Sequence, residues 1–232
     1  MRKGIITLGV IGIIVSLLVG FGPMVYRMVN DKGLQTASLS EGGEPASIGI
    51  DGTWFTVDGF GQNRTQAGYT FFEKLPAEDK TTSGRTDNQD SESVHGELRV
   101  SDGQLQEGLV TVDVASISSD NERRDINVRK NILHTDKYPK ATFAITEPTD
   151  LSGVPEDGTV GTVKVTGDLT LHGVTKKITT DLRVLRTGES VIIEGSVPVK
   201  RSDFHIESGD FVAAVIDDEG TIDLLLVFQQ RS

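Results

Sequence analysis

The feature that most constrains this chain is a period of two. Apolar residues alternate with polar or small ones at Leu98 and Val100; Val110, Val112 and Val114; Phe143 and Ile145; Val163, Val165, Leu169 and Leu171; Ile178, Leu182 and Val184; Val191, Ile193, Val197 and Val199; and Leu224, Leu226 and Phe228. Side chains on a strand point to opposite faces in turn, so this is the signature of strands with one buried face. Turn-forming residues separate the runs at Ser101-Asp102-Gly103, Glu156-Asp157-Gly158, Leu171-His172-Gly173, Thr187-Gly188-Glu189 and Asp218-Glu219-Gly220. The reading is a mainly β chain of about eight antiparallel strands closing into a single barrel. One segment breaks the pattern. Ser119-Asp120-Asn121-Glu122 offers a capping start, and residues 122–133 carry helix formers with Ile126, Val128, Ile132 and Leu133 as the apolar members. A short helix plugging one end of the barrel is predicted there, and Lys74 to Ser93, polar and without period, reads as a loop.

The first thirty residues set the expected compartment. Gly4 to Val25 is an uncharged run of 22 residues, about 33 Å long as a helix, against a bilayer core of about 30 Å. Arg2 and Lys3 precede it, which retains the N-terminus inside and exports the remainder of the chain. Residues 1–29 are therefore expected to form a single-pass transmembrane anchor, with a cleaved signal peptide as the alternative. Residues 30–47, polar and glycine-containing, read as a flexible linker. Residues 48–232 read as the folded domain, extracytoplasmic and held at the cell membrane.

Charge and composition then exclude function classes. The chain carries 23 basic and 34 acidic residues, a net charge of −11, and a phosphate backbone would be repelled, so no nucleic-acid partner is expected. With no cysteine, disulfides, thiol nucleophiles and thiolate metal sites are absent. His95, His134, His172 and His205 have no metal-ligand spacing, and no Gly-x-Ser-x-Gly elbow is present. Neither metal, cofactor nor catalytic residue is assigned. Asp120, Glu122, Arg123, Arg124 and Asp125 cluster at the predicted helix start, where capping and ion pairing account for them better than ligand contact does. Lys176, Lys177 and Arg201 are candidates for a rim that attracts pyrophosphate.

Three stretches together resemble the YceI-like family of lipocalin-like barrels associated with polyisoprenoid binding. They are Val112 to Ile117 leading into Ser119 to Asp125; Lys137-Tyr138-Pro139-Lys140-Ala141-Thr142-Phe143; and Gly167 to Lys176, followed by Arg201 to Ile206. The agreement runs from about Gly49 to Phe228. Two positions depart from the family pattern: Ile50 to Asp58 lacks the usual histidine and serine, and His205 stands where glycine is more common. Gly68 to Glu73 and Gly84-Arg85-Thr86 look like the variant of membrane-anchored actinobacterial members. The resemblance implies a tube enclosing an isoprenoid or other long-chain lipid, and a binding protein rather than an enzyme. Strand parity assigns Tyr69, Phe71, Val112, Val114, Phe143, Leu169, Leu171 and Phe204 to its lining, with Trp54. A ligand-free envelope or stress-response interaction protein with a packed barrel is the alternative, an enzyme acting on a lipid-linked substrate a more distant one, and association of two barrels as a homodimer is left open.

Overall fold

The computed structural model describes residues 33–74, 79–86, 93–207 and 215–231. The expected anchor at 1–29 lies outside them; among the described residues no helix is long and apolar enough to cross a membrane. In chain order the strands are β1 (Gly52–Val57), β2 (Gly59–Phe60), β3 (Asn63–Arg64), β4 (Gln66–Lys74), β5 (Asp79–Thr86), β6 (Val94–Ser101), β7 (Gln104–Asp113) and β8 (Ile117–Ser118). After the helix α1 (Glu122–Asn127) come β9 (Lys140–Ile145), β10 (Thr149–Asp150), β11 (Val160–Leu171), β12 (Val174–Thr187), β13 (Ser190–Lys200) and β14 (Val215–Gln230).

Eight of these close a ring in the order β1-β6-β7-β9-β11-β12-β13-β14, with β14 returning to β1 and every pair antiparallel. β14 is long enough to hold a second partner, pairing with β1 near Phe228 and with β4 from Val215 to Leu225. β4 and β5 form a hairpin whose end reaches β8, so this lip extends the barrel wall on one side. The polar stretch expected to be a loop thus holds a strand, Asp79–Thr86, where pairing to β4 satisfies the backbone without apolar alternation.

The turns match their residues. Asp102 and Gly103, and His172 and Gly173, both have positive φ, which gives the mirror-image turns that match strand twist. Asp218-Glu219-Gly220 does not turn. It lies inside β14 as an irregularity between Ile216 and Gly220, where a Cβ on Gly220 would sit 2.3 Å from the Phe71 ring. A bulge uses the same small and polar residues as a turn but keeps the strand going.

Residues 37–47 also depart from expectation. Read as part of a free linker, they lie along the barrel wall. Gly43, Ala46 and Ser47 donate main-chain hydrogen bonds to Gly158, Glu156 and Gly188, and the amides of Leu39 and Ser40 donate to Glu194 and Asn63. Leu39 is buried against Leu185, Ile192, Leu225 and Val227, which face outward and are sealed from water. An apolar patch on the barrel's outer face needs a cover, and this strap supplies it.

Candidate functional site

The inward face of the ring encloses two apolar chambers. The inner one, about 140 Å³, is walled by Trp54, Val110, Phe143, Val163, Val165, Leu169, Leu226 and Phe228 among others, and no titratable side chain lines it. Ile50, Leu151 and Val154 complete its wall from segments outside the eight ring strands. Trp54, the only tryptophan, is 2% exposed, and its indole N–H donates to the carbonyl of Ile50 at 2.8 Å. That bond satisfies the polar atom of this side chain.

The outer chamber, about 520 Å³, shares Ala67, Val112, Ala141 and Ile222 with the inner one, so these four form a waist between the two spaces. Its apolar walls include Tyr69, Phe71, Val114, Leu171, Phe204 and Ile206. Its plug is the predicted helix. α1 starts on Asn121, whose side chain accepts from the amides of Arg123 and Arg124, and then widens into a π turn over Val128–Ile132. Val128, Ile132 and Leu133 pack into the cluster around Phe204, whereas Ile126, expected on the apolar face, is 43% exposed. The change of helical pitch after α1 brings 128, 132 and 133 to one side and leaves 126 off it.

All nine residues assigned to the lining from strand parity reach the cavity. Trp54, Phe143 and Leu169 face the inner chamber, Tyr69, Phe71, Val114, Leu171 and Phe204 the outer one, and Val112 both. Seven of them lie on strands, where i and i+2 share a face; Val114 and Phe204 reach the cavity from short helical turns at Val114–Ser116 and Arg201–Phe204. Strand parity missed Asn121, Arg123, Arg124, Asn127, Lys200 and Arg201 at the mouth, which sit on the helix and its cap, at the end of β13 and at the start of the short helical turn that follows. Among the described lining residues, charged groups thus gather only at this end. Tyr69 lies at their border; burial pushes its phenol up to about 12, with Asp125, Asp120 and Glu73 adding to the rise and Arg124 opposing it.

The charge cluster at the helix start is engaged in structure, as capping and pairing predict. Arg124 binds Asp120 at 2.8 Å, and the buried Asp125 carboxylate accepts from the amide and hydroxyl of Ser119 at 2.8 and 2.6 Å. Of the three cations predicted to attract pyrophosphate, Lys176 and Lys177 face Asp203 and Glu147 on the outer surface. Arg201 is bound through three N–H groups to the carbonyls of Asp217, Ile206 and Ile216 at 2.9, 3.0 and 2.8 Å. It anchors the turn after β13.

Three histidines mark the loops around the mouth, and all take positive φ: His134, His172 and His205. Position 205 is in the left-handed region that glycine adopts without strain. His134 Nδ1 and His172 Nε2 lie 3.0 Å apart, and His172 Nδ1 donates to the Phe204 carbonyl at 3.1 Å, so one imidazole joins the helix end to two hairpin turns. Burial lowers the His172 pKa from 6.5, helped by His134, Lys137 and His205, while the Phe204 carbonyl raises it. The unfolded chain therefore takes up this proton near pH 6.5 and the folded chain only at lower pH. The resulting stability is whole above that value and is lost as pH falls through the interval below it. The melting temperature should drop between about pH 7.5 and 5, and drop less in His172→Asn, which tolerates positive φ and does not titrate; an equal drop in both would show that this histidine is not responsible.

A closed antiparallel ring of eight strands with an apolar, two-chambered interior and charged groups gathered at its mouth defines the class: an eight-stranded β-barrel with an internal apolar cavity. Within that class the chain belongs to the YceI-like domain family, whose model matches residues 65–228. It is 33% identical over 106 residues to protein YceI of Shigella flexneri, covering 43% of this chain and 51% of that one. It is 35% identical over 104 residues to a UPF0312 protein of Vibrio parahaemolyticus, covering 42% and 51%. The chain thus spans about half the length of these curated relatives. Two solved structures share the fold: BcnA of Burkholderia cenocepacia, with a TM-score of 0.55, 22% identity and coverage of 70% of this chain and 94% of that one; and a polyisoprenoid binding domain of Saccharophagus degradans, with a TM-score of 0.54, 19% identity and coverage of 72% and 98%.

Proposed function

We propose that this protein is a carrier that holds an isoprenoid or similar amphiphilic lipid in its barrel, tethered by residues 1–29 at the outer face of the cytoplasmic membrane. The observation that carries the proposal is the pair of adjoining apolar chambers, about 140 and 520 Å³, that share Ala67, Val112, Ala141 and Ile222 in their walls. A packed barrel, as in the ligand-free alternative, would leave no such space. A cavity of about 150 Å³ lined by aliphatic and aromatic side chains stays dry and takes up benzene. The inner chamber is therefore sized for about one isoprene unit, and the rest of a tail occupies the wider mouth chamber. Binding comes from apolar burial, about 0.8 kcal/mol per methylene. The absence of titratable side chains from the described inner wall supports holding rather than turnover. The name of the Saccharophagus degradans neighbour, a polyisoprenoid binding domain, points to the same ligand class, and Gly68 to Glu73 with Gly84 to Thr86, part of the extended lip, carry the likeness to membrane-anchored actinobacterial members. A tether would make capture from the adjacent bilayer effectively intramolecular.

Native mass spectrometry with lipid identification on the full chain purified from its own cells should show a bound amphiphile, its forms differing by isoprene units. Protein that is lipid-free under conditions that preserve other lipid complexes would defeat the reading. A reporter fused after Ser232 that is active only in the cytosol would defeat the topology.

A further inference from the structure

The barrel wall is split along one seam. β12 and β13 pair only from Arg183 with Glu194 to Thr187 with Ser190. Beyond that fork, Val174 to Leu182 stay paired to β11 alone, and Gly195 to Lys200 to β14 alone. The fork itself is pinned: Arg183 binds Glu194 at 2.6 Å, and the strap adds Glu41 to Arg183 and the Leu39 amide to Glu194. Past it, side-chain bonds turn away from the seam, Thr179 to Thr166, Thr175 to Thr170 and Ser196 to Asp223. Pro198 works against a longer ladder. It pairs with Thr221, and having no N–H it can hold only a non-hydrogen-bonded position there, which turns its nitrogen toward β12 with no donor to offer. Lys176, Lys177 and Pro198 also guard the two free edges against addition of a foreign strand.

Outside the split lies a groove of about 600 Å³ with Ile178 of β12, Pro198 of β13 and the exposed Phe72 of β4 in its walls. Val199, Lys200 and Phe204 belong to these walls and to those of the outer chamber as well. Val174 and Ile178 pack on the cluster that holds Val197, Val199 and Phe204, so apolar side chains close the seam where the main-chain ladder does not. The ion pair across it, Lys176 with Asp203 at 3.7 Å, is about half exposed and holds it weakly. An entering hydrocarbon replaces apolar contacts with its own as it parts them. The capped mouth is harder to open. Moving α1 and its π turn breaks the hydrogen bonds of Asp125 to Ser119, of Arg129 to the Ile117 carbonyl at 3.2 Å and of His134 to His172. Resting on the carrier reading above, we propose that the β12–β13 split is a side entrance through which an isoprenoid or similar apolar chain slides from the outer groove into the barrel, while the helix plug stays in place.

The chain has no cysteine, so the entrance can be stapled selectively. The register continued past the fork sets Thr179 opposite Pro198 and Asp181 opposite Ser196, all four exposed. Thr179→Cys with Pro198→Cys is bridged by oxidation, or by a short bismaleimide where no disulfide forms, and Asp181→Cys with Ser196→Cys repeats the test with Pro198 left intact. Geranylgeraniol is added to the full chain in phosphatidylcholine vesicles and followed by the emission of Trp54. Bridging should slow association and dissociation by about tenfold or more, and reduction of the disulfide should restore both. Kd should stay within about twofold, because a route alters rates and not the bound state. Unchanged rates in bridged protein, or failure of both cysteine pairs to bridge, overturns the side entrance with lipid binding intact. No response of Trp54 in the wild type overturns the carrier reading with it.

Discussion

Ala141→Phe should shut the inner chamber to isoprenoid tails and leave the barrel folded. Ala141 sits on β9 opposite Val112, and both belong to the four residues that line the two chambers in common. A phenyl group grown from this position enters the waist, where the facing walls are Ala67 and Ile222. An isoprene unit has about five carbons, and at about 0.8 kcal/mol for each one buried its exclusion costs about 3–4 kcal/mol, several hundredfold in Kd. The fold suffers less, because the added ring enters open space and not a filled core, so the cost lies at or below the usual 1–3 kcal/mol of overpacking. Titration with geranylgeraniol, followed by the emission of Trp54 beside a thermal melt, separates the two effects. A Kd within about threefold of wild type would mean that tails do not pass the waist.

The part of this architecture that the sequence makes plain is whatever strand parity and turn chemistry control. Val110, Val112 and Val114, or Leu169 and Leu171, can alternate in only one way if one face is buried, and each falls on the cavity side. The mouth is less legible because it is built across elements. Asn121, Arg123 and Asn127 come from a helix of six residues that continues into a π turn, and no periodicity places such groups beside Lys200. Charge at a helix start reads as capping, and for Asn121, Arg124 and Asp125 that is what it does. Arg123 differs only in lacking a partner among the described residues, and a lack of contact leaves no trace in sequence.

The strap illustrates a signal that is present but easy to misread. Residues 224–228 are Leu-Leu-Leu-Val-Phe, a run without alternation, as are Leu185 beside Val184 and Ile192 beside Val191. An uninterrupted apolar stretch on a strand means burial on both faces. Leu224, Leu226 and Phe228 face the cavity, while Leu225 and Val227 face outward and are 0% exposed, so something must cover them. Leu39 does so with Ala37 beside it, among small and polar neighbours whose composition suggests a tether. Residues 37–47 are held largely by hydrogen bonds from main-chain amides, beside the buried Leu39 and side-chain contacts of Ser40 and Glu41, and main-chain contacts do not depend on residue type. In the same way Asp218-Glu219-Gly220 carries turn residues, yet Gly220 serves the Phe71 ring, a requirement set by the neighbouring strand.

Phe228→Ala should remove about 3–5 kcal/mol of stability, the usual cost of deleting a fully buried phenylalanine. Phe228 is 0% exposed, pairs with Thr56 on β1 and Val191 on β13, and so sits at the seam where β14 closes the ring. Its ring edge fills the space over Gly96, where a Cβ would come within 2.9 Å of it. For a domain of this size each kcal/mol moves the melting point by about 2–4 °C, so a fall of about 6–20 °C is expected. Phe228 also lines the inner chamber, which gives the loss a particular character. The truncation enlarges an existing apolar space instead of opening a new one, so a guest that reaches the chamber can restore contacts the phenyl group made. Ligand that binds only the folded state raises stability by about 2.7 kcal/mol at a hundredfold excess over Kd. Saturating geranylgeraniol should therefore recover more of the melting temperature in Phe228→Ala than it adds to the wild type, and benzene should recover part of it as well. Equal shifts in the two proteins would place the tail outside the chamber that Phe228 walls, in the mouth alone, and Ala141→Phe would then leave affinity untouched.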